Sequence, residues 1–395
     1  MPPLFRIAPQ SPRPRVLAAL VLGGHLGLSM AQGLPRPEAW EAGVVLDVAS
    51  SSQALALGAR DKGLGLGHSD LLVRGPLGQH LSAEANVGLH TQDRQLEAHI
   101  ENAWLQTRSL PAGLQARAGR FASQIGYLNE QHPHADDFSE RPLLYRALLG
   151  GHWYDDGMRL NWTAPTPFYL RLGAEVFKGK QLVPQAPATS GAGARTLNLK
   201  MGDDLGESSS WQWGLSRVDN RRVTEVAVHD PDAGDHDHAH AASYSGRRMW
   251  VSDLVWKWAP QGNNRQQQLR LSWELAEISG IHRDADPSLR HRASTLAAVW
   301  RLNPSWELGL RSDWLRVQQA ENDAGTVHVA AGRLREHAIM LAYKPTHMQT
   351  LRLQLTQQRA HGANDEGAPV FANPARRSIV LQYVISFGAH GAHSF

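Results

Sequence analysis

A two-residue alternation of apolar and polar side chains recurs along this chain and limits the folds open to it more than any other feature. Leu81, Ala83, Ala85, Val87 and Leu89 alternate with Ser82, Glu84, Asn86, Gly88 and His90, the period of a strand with one apolar and one polar face. The same rhythm returns in Phe168–Val176, Leu269–Leu275, Trp306–Leu310, Leu351–Leu355 and Ile379–Phe387. A soluble sandwich or propeller shares this period. Two features favour a transmembrane barrel instead. The polar face carries long charged side chains of both signs, among them Arg117, Arg159, Arg171, Arg270, Arg301, Arg311 and Arg352, which suits a water-filled lumen. Trp104, Trp162, Trp211, Trp213, Trp256, Trp258, Trp300, Trp306 and Trp314 fall near strand ends on the apolar face, where an interfacial girdle belongs.

Turn chemistry sets the expected topology. Short Pro- or Gly-containing connections occur at Gly75–Gly78, Pro111–Gly113, Ala164–Pro167, Asn303–Pro304 and Lys344–Thr346, with slightly longer ones at 202–210 and 260–266. Long irregular segments alternate with them at about 58–68, 122–156, 178–193, 219–246, 278–291, 317–334 and 359–376, and a short one lies near 90–95. Together they predict an all-β, antiparallel transmembrane barrel of about 16 strands, with short periplasmic turns and long extracellular loops.

The ends of the chain add localisation. Arg6, Arg13 and Arg15 precede the apolar run Val16–Leu22, and Ser29-Met30-Ala31 supplies small residues for cleavage, so 1–31 reads as a secretory signal peptide. Its loss removes three arginines and no acid, taking the formal net charge from +3 to 0, and with that charge goes the main argument for a nucleic-acid partner. Residues 32–42 read as a short periplasmic leader and 43–395 as the barrel, with a central inward loop at about 122–156 and a His-rich outer loop at about 219–246. The chain has no cysteine, so any metal must be held by His, Asp or Glu.

The alternation breaks at the central loop. In Glu130-Gln131-His132-Pro133-His134-Ala135-Asp136-Asp137 imidazoles and carboxylates sit at one- and two-residue spacing. Pro133 is expected to keep the stretch extended, with His132 and His134 on one side. Glu130, His132, His134, Asp136 and Asp137 are therefore candidate ligands for Zn²⁺ or a neighbouring transition metal, with too few hard oxygens for Ca²⁺; the other reading is that they anchor the loop to arginines of the wall. A second His/Asp tract supplies His229, His236, His238 and His240 in the outer loop, suited to weak capture. His390 and His393 follow the last strand, and the three groups could form a relay. The apolar alternation ends at Phe387, leaving Phe395 as a separate assembly signal or rim contact.

The run Gly119-Arg120-Phe121 through Ile125-Gly126-Tyr127-Leu128-Asn129-Glu130-Gln131-His132-Pro133-His134, with Asp155-Asp156-Gly157, Val255-Trp256-Lys257-Trp258-Ala259-Pro260 and the ending Ser386–Phe395, resembles a family of porin-like proteobacterial outer-membrane proteins often labelled zinc-regulated (TonB-dependent) outer-membrane receptors. The resemblance covers most of the mature chain and implies an outer-membrane barrel tied to zinc supply. A TonB-dependent receptor resembles a barrel of about 22 strands filled by an N-terminal plug, and residues 32–42 are too few to form one. The expected function is uptake of zinc or another divalent transition metal, with no cofactor required and no enzymatic step. A surface metal-binding or adhesion barrel without transport is the alternative, and an outer-membrane hydrolase a further one. The expected partners are outer-membrane lipid and lipopolysaccharide, the barrel-assembly machinery, and a metal ion or small solute, with homo-oligomerisation left open.

Overall fold

The computed structural model describes residues 38–92, 95–228, 242–323, 326–364, 367–371 and 375–388. The expectations for the signal peptide, the outer-loop histidines His229, His236, His238 and His240, and the terminal His390, His393 and Phe395 lie outside the described residues. In chain order the strands are β1 (Glu41–Ser51), β2 (Gly63–Leu66), β3 (Ser69–Leu77), β4 (Leu81–Gln92), β5 (Gln95–Thr107), β6 (Leu114–Ala122), β7 (Tyr154–Thr163), β8 (Tyr169–Phe177) and β9 (Ala194–Leu205). They continue as β10 (Ser209–Asn220), β11 (Ala227–Val228), β12 (Arg248–Trp258), β13 (Gln268–Ser279), β14 (Arg290–Asn303), β15 (Trp306–Asp323), β16 (Thr326–Thr346), β17 (Gln349–His361) and β18 (Arg377–Gly388). Among the described residues one α-helix, α1 (Leu143–Leu149), interrupts the strands. β2 and β3 are halves of one wall strand parted by Gly67 and His68, and β11 is a two-residue strand beside β15. The wall is a closed ring of sixteen antiparallel strands, sealed where β18 pairs with β1 from Gly43 opposite Gly388 to Ser51 opposite Val380.

The two faces invert the pattern of a soluble protein. On β17 the apolar Leu351, Leu353 and Leu355 are 41%, 44% and 50% exposed, while Arg352, Gln354 and Thr356 between them are at most 4% exposed. Leucines turned outward around a buried polar interior require an apolar solvent outside the ring. All seven arginines expected on the polar face do face inward, where most meet a partner: Arg159 with Glu175, Arg270 with Asp137, Arg301 with Glu307, and Arg311 with Asp313 and Glu336. Trp162, Trp258, Trp300, Trp306 and Trp314 lie on the outer face as expected. No described helix is long and apolar enough to cross a membrane.

Three local expectations are corrected. Trp104 is not in the girdle. Where β4 meets β5, Asn86 faces Asn102 and Val87 faces Ile100, so Glu101 has no cross-strand partner. This β-bulge reverses the side-chain phase: Glu97, His99 and Glu101 face the lumen before it, Asn102, Trp104 and Gln106 after it. Trp104 is thereby drawn inside, its ring centre 4.1 Å from the Arg117 guanidinium carbon. The segment 317–334 is not a loop but the continuation of β15 and β16, paired through Asp323 and Thr326. The turn expected at 344–346 lies two residues later, because Pro345, which has no N–H to give the ladder, occupies an irregularity between Tyr343 and Thr346.

The loop between β6 and β7 folds into the lumen. Asn129, fully buried, closes its neck: Nδ2 donates to Ser123 O at 2.9 Å and Trp153 O at 2.8 Å, and Oδ1 accepts from Trp153 N at 2.9 Å. Beyond the neck Ile125, Leu143, Leu144, Leu148 and Trp153 form an apolar core with Phe121 and Phe177 of the wall. The left-handed Gly150 (φ 61°) ends α1. Polar anchors then fasten the loop across the barrel. Tyr127 N donates to Glu274 Oε2 on β13 at 2.8 Å, Ser139 N to Gln354 Oε1 on β17 at 2.8 Å, and Arg146 to Glu336 Oε2 on β16 at 2.6 Å.

Candidate metal centre in the lumen

Three separate pieces of chain bring ligand atoms to one place. His68, in the break between β2 and β3, and Asp70, in β3, bring their side chains together, His68 Nε2 facing the Asp70 carboxylate. The interruption between its halves is held by Gly67 N donating to Asp47 O at 2.7 Å and Asp47 N to Ser69 Oγ at 3.0 Å. A side chain at 67 would crowd the Asp47–Arg60 ion pair, since a Cβ there would stand 2.3 Å from Asp47 Oδ2. β5 contributes Glu101, which the bulge delivers. The central loop contributes His132 and His134 from a single 3₁₀ turn, Pro133–Ala135, rather than the expected extended stretch; their rings still lie on one side, centres 5.6 Å apart and 15° from parallel.

His68 Nε2 is 3.4 Å from Asp70 Oδ1 and 3.2 Å from Glu101 Oε2; His132 Nδ1 is 3.6 Å and 3.3 Å from the same two oxygens. One ligand atom from each of His68, Asp70, Glu101 and His132 falls within 4.8 Å of every other. His134 Nδ1 touches the second oxygen of Asp70. Despite these separations His68 Nε2, Asp70 Oδ2, Glu101 Oε2 and His134 Nδ1 are buried with no hydrogen-bond partner among the described residues. Atoms this close but misaligned for hydrogen bonding converge on a common point, as ligands of a shared cation do. Ligands about 2.1 Å from a tetrahedral Zn²⁺ lie about 3.4 Å apart, which the separations of His68 and His132 from Asp70 and Glu101 match. Two imidazoles and two carboxylates suit Zn²⁺ or a neighbouring divalent metal; Ca²⁺ would need more oxygens, and Cu⁺ a softer donor.

Outer partners orient these ligands. Asn86 Nδ2 donates to Asp70 Oδ1 at 3.0 Å, and the Asn102 amide lies 3.3 Å from His132 Nε2. With the Asn102 amide oxygen turned to it, Nε2 would carry the ring proton and leave the Nδ1 lone pair facing the two acids. Burial alone would lower the His132 imidazole, but the carboxylates of Asp70 and Glu101 overcome it and hold it above its ordinary value. His152, its ring 5.9 Å from His132, is pushed well below its ordinary value by burial and then by the Arg141 charge, and so stays neutral.

The loop's carboxylates go elsewhere. Glu130 pairs with Arg159 at 3.1 Å and Arg171 at 3.4 Å, Asp136 with Arg141 at 2.8 Å, and Asp137 with Arg270. Of the loop's five candidate ligands, the structure thus brings His132 and His134 to the cluster and ties Glu130, Asp136 and Asp137 to arginines. Sequence reasoning missed His68, Asp70 and Glu101. A signal for the first two was the His-Ser-Asp spacing on one strand face; for Glu101 it was the adjacent polar pair Glu101-Asn102, which breaks the alternation of β5.

No family model matches the chain. A protein of Aquifex aeolicus (strain VF5), described as uncharacterized, is 26% identical over 364 residues, covering 85% of this chain and 70% of that protein. Among solved structures, a loop L8 deletion mutant of OmpT, an outer membrane protein of Vibrio cholerae, superposes with a TM-score of 0.55 at 10% identity, covering 88% of this chain and 98% of its own. The high-pH structure of Pseudomonas putida OprB gives 0.54 at 12% identity, covering 89% and 94%. An anion-selective porin from Comamonas acidovorans gives 0.51 at 12%, covering 88% and 99%. At these identities the likeness is one of fold, and the fold is that of outer-membrane porin-like barrels.

Proposed function

We propose that the chain is a porin-like channel of the outer membrane that takes up Zn²⁺ or a neighbouring divalent transition metal, with His68, Asp70, Glu101 and His132 as the binding stop beside its inward loop. The observation that carries this reading is the convergence of buried imidazole and carboxylate atoms where the loop meets the wall. The apolar outer face would sit in lipid and lipopolysaccharide after insertion by the assembly machinery. Charges along the lumen largely neutralise one another in pairs, so the wall is a weak filter and selectivity falls to the centre. An ion must leave as well as bind, which calls for moderate affinity. The reading assigns no chemical step to the chain and needs no energy-coupling plug.

A second reading, a barrel that holds metal without passing it, is favoured by the apolar cluster inside the ring, where Leu182, Val183, Tyr244 and Phe371 join the core of the central loop. Planar-bilayer recording and zinc entry into dye-loaded liposomes separate the two. A channel gives single-channel steps and zinc entry that falls about tenfold or more in His132→Ala. Zinc binding without steps or entry would select the second reading, and no zinc binding would remove both.

A further inference from the structure

We infer that a second, outer position for the same class of ion lies between His90 and His99 and is joined to the central one through the carboxylate of Glu101. The inference rests on the metal-uptake reading above and adds an entry step to it. The bulge leaves Glu101 with its two oxygens turned to different partners. Oε2 faces His68 and His132 at 3.2 and 3.3 Å, whereas Oε1 lies 3.0 Å from His99 Nε2. His99 is two residues nearer the outer end of β5. Its ring centre is 5.1 Å from that of His90 on β4, the planes 72° apart, and His90 Nε2 is 3.7 Å from Glu97 Oε2. Two imidazoles with carboxylates on either side are the same donor types as the centre, spread more widely than its four. The Glu97 side chain is 43% exposed, so an ion arriving from outside meets it first.

Gly88 lies against the link. It stands opposite His99 in the β4–β5 ladder, and a Cβ there would come within 2.8 Å of Glu101 Oε1 and 2.9 Å of His99 Nε2. A side chain at 88 would push the two groups apart. A carboxylate that contacts both positions can release an ion from one oxygen as it takes it on the other, so the ion moves inward without ever losing all its ligands. Such neighbouring stops of modest affinity are what conduction through a binding site requires.

The test uses the full-length protein in detergent, titrated with Zn²⁺ by calorimetry, and the same variants in zinc-dye liposomes. The parent is expected to bind one equivalent with moderate affinity and a weaker second one. His90→Ala with His99→Ala should lose only the weaker, and His132→Ala only the tighter. Gly88→Ala should keep both while zinc entry falls about tenfold, and the milder His99→Gln serves if the double variant fails to insert. A parent with a single equivalent that His132→Ala removes and the His90/His99 variants leave intact would overturn the outer position while sparing the central one. A parent that binds no zinc would overturn both.

Discussion

Asn129→Ala should release the central loop at its neck without disturbing the wall. The buried amide makes three hydrogen bonds that hold Ser123 and Trp153 together where the loop leaves β6 and returns to β7. At about 1 kcal/mol each their loss costs about 3 kcal/mol, and of the neck's hydrogen bonds between these residues the one from Ser123 N to Trp153 O at 3.1 Å remains. At 1.4 kcal/mol per factor of ten, local opening of residues 123–153 should rise about 100-fold. Hydrogen exchange in detergent micelles reads this directly: amides of Ile125–Leu149 should exchange about 100-fold faster while those of β12–β17 keep their protection. Zinc affinity should fall as well, since His132 rides on the loop. Unchanged loop protection, or equal loss in loop and wall, would refute the idea that Asn129 is the local clasp.

Glu336→Ala should be harsher, because it removes the carboxylate 2.6 Å from Arg146 of α1 and leaves Arg311 of β15, also 2.6 Å from it, with Asp313 alone inside the lumen; a loss of about 3–5 kcal/mol is expected, seen as a lower temperature for the heat-modifiable gel shift. Glu130→Gln should leave zinc binding as in the parent, since Glu130 is engaged by Arg159 and Arg171; a calorimetric loss matching that of His132→Ala would show that the carboxylate reaches the metal after all.

The wall was legible because each strand separates lipid from lumen, so burial imposes a strict two-residue period on the sequence. That signal fades where both faces meet water. β15 and β16 run to 18 and 21 residues, well past the roughly 9–11 that span a membrane, and in their outer parts the faces exchange character, with Val317 and Leu334 buried in the core inside the ring while Arg316 and Arg333 are exposed, so Val317–Leu334 looked like a loop. The bulge at Glu101 was hidden for a related reason: one inserted residue shifts the phase, and a window read with a fixed period places Trp104 on the wrong face. At the site, local composition put Glu130, His132, His134, Asp136 and Asp137 on equal terms. What distinguishes them is remote in sequence. Arg159, Arg171 and Arg270 arrive from other strands to take Glu130 and Asp137, while Asp70 and Glu101 arrive from β3 and β5 to meet the imidazoles. Periodicity shows that Asp70 faces inward, but not which loop descends onto it.

The most direct measurement is anomalous diffraction at the zinc edge from crystals of the full-length protein grown with Zn²⁺. A peak is predicted among His68 Nε2, Asp70, Glu101 Oε2 and His132 Nδ1, with ligand distances of about 2.0–2.2 Å, and it should vanish in Asp70→Asn. A peak on Glu130, Asp136 or Asp137, or none anywhere in the lumen at saturating zinc, would contradict the account.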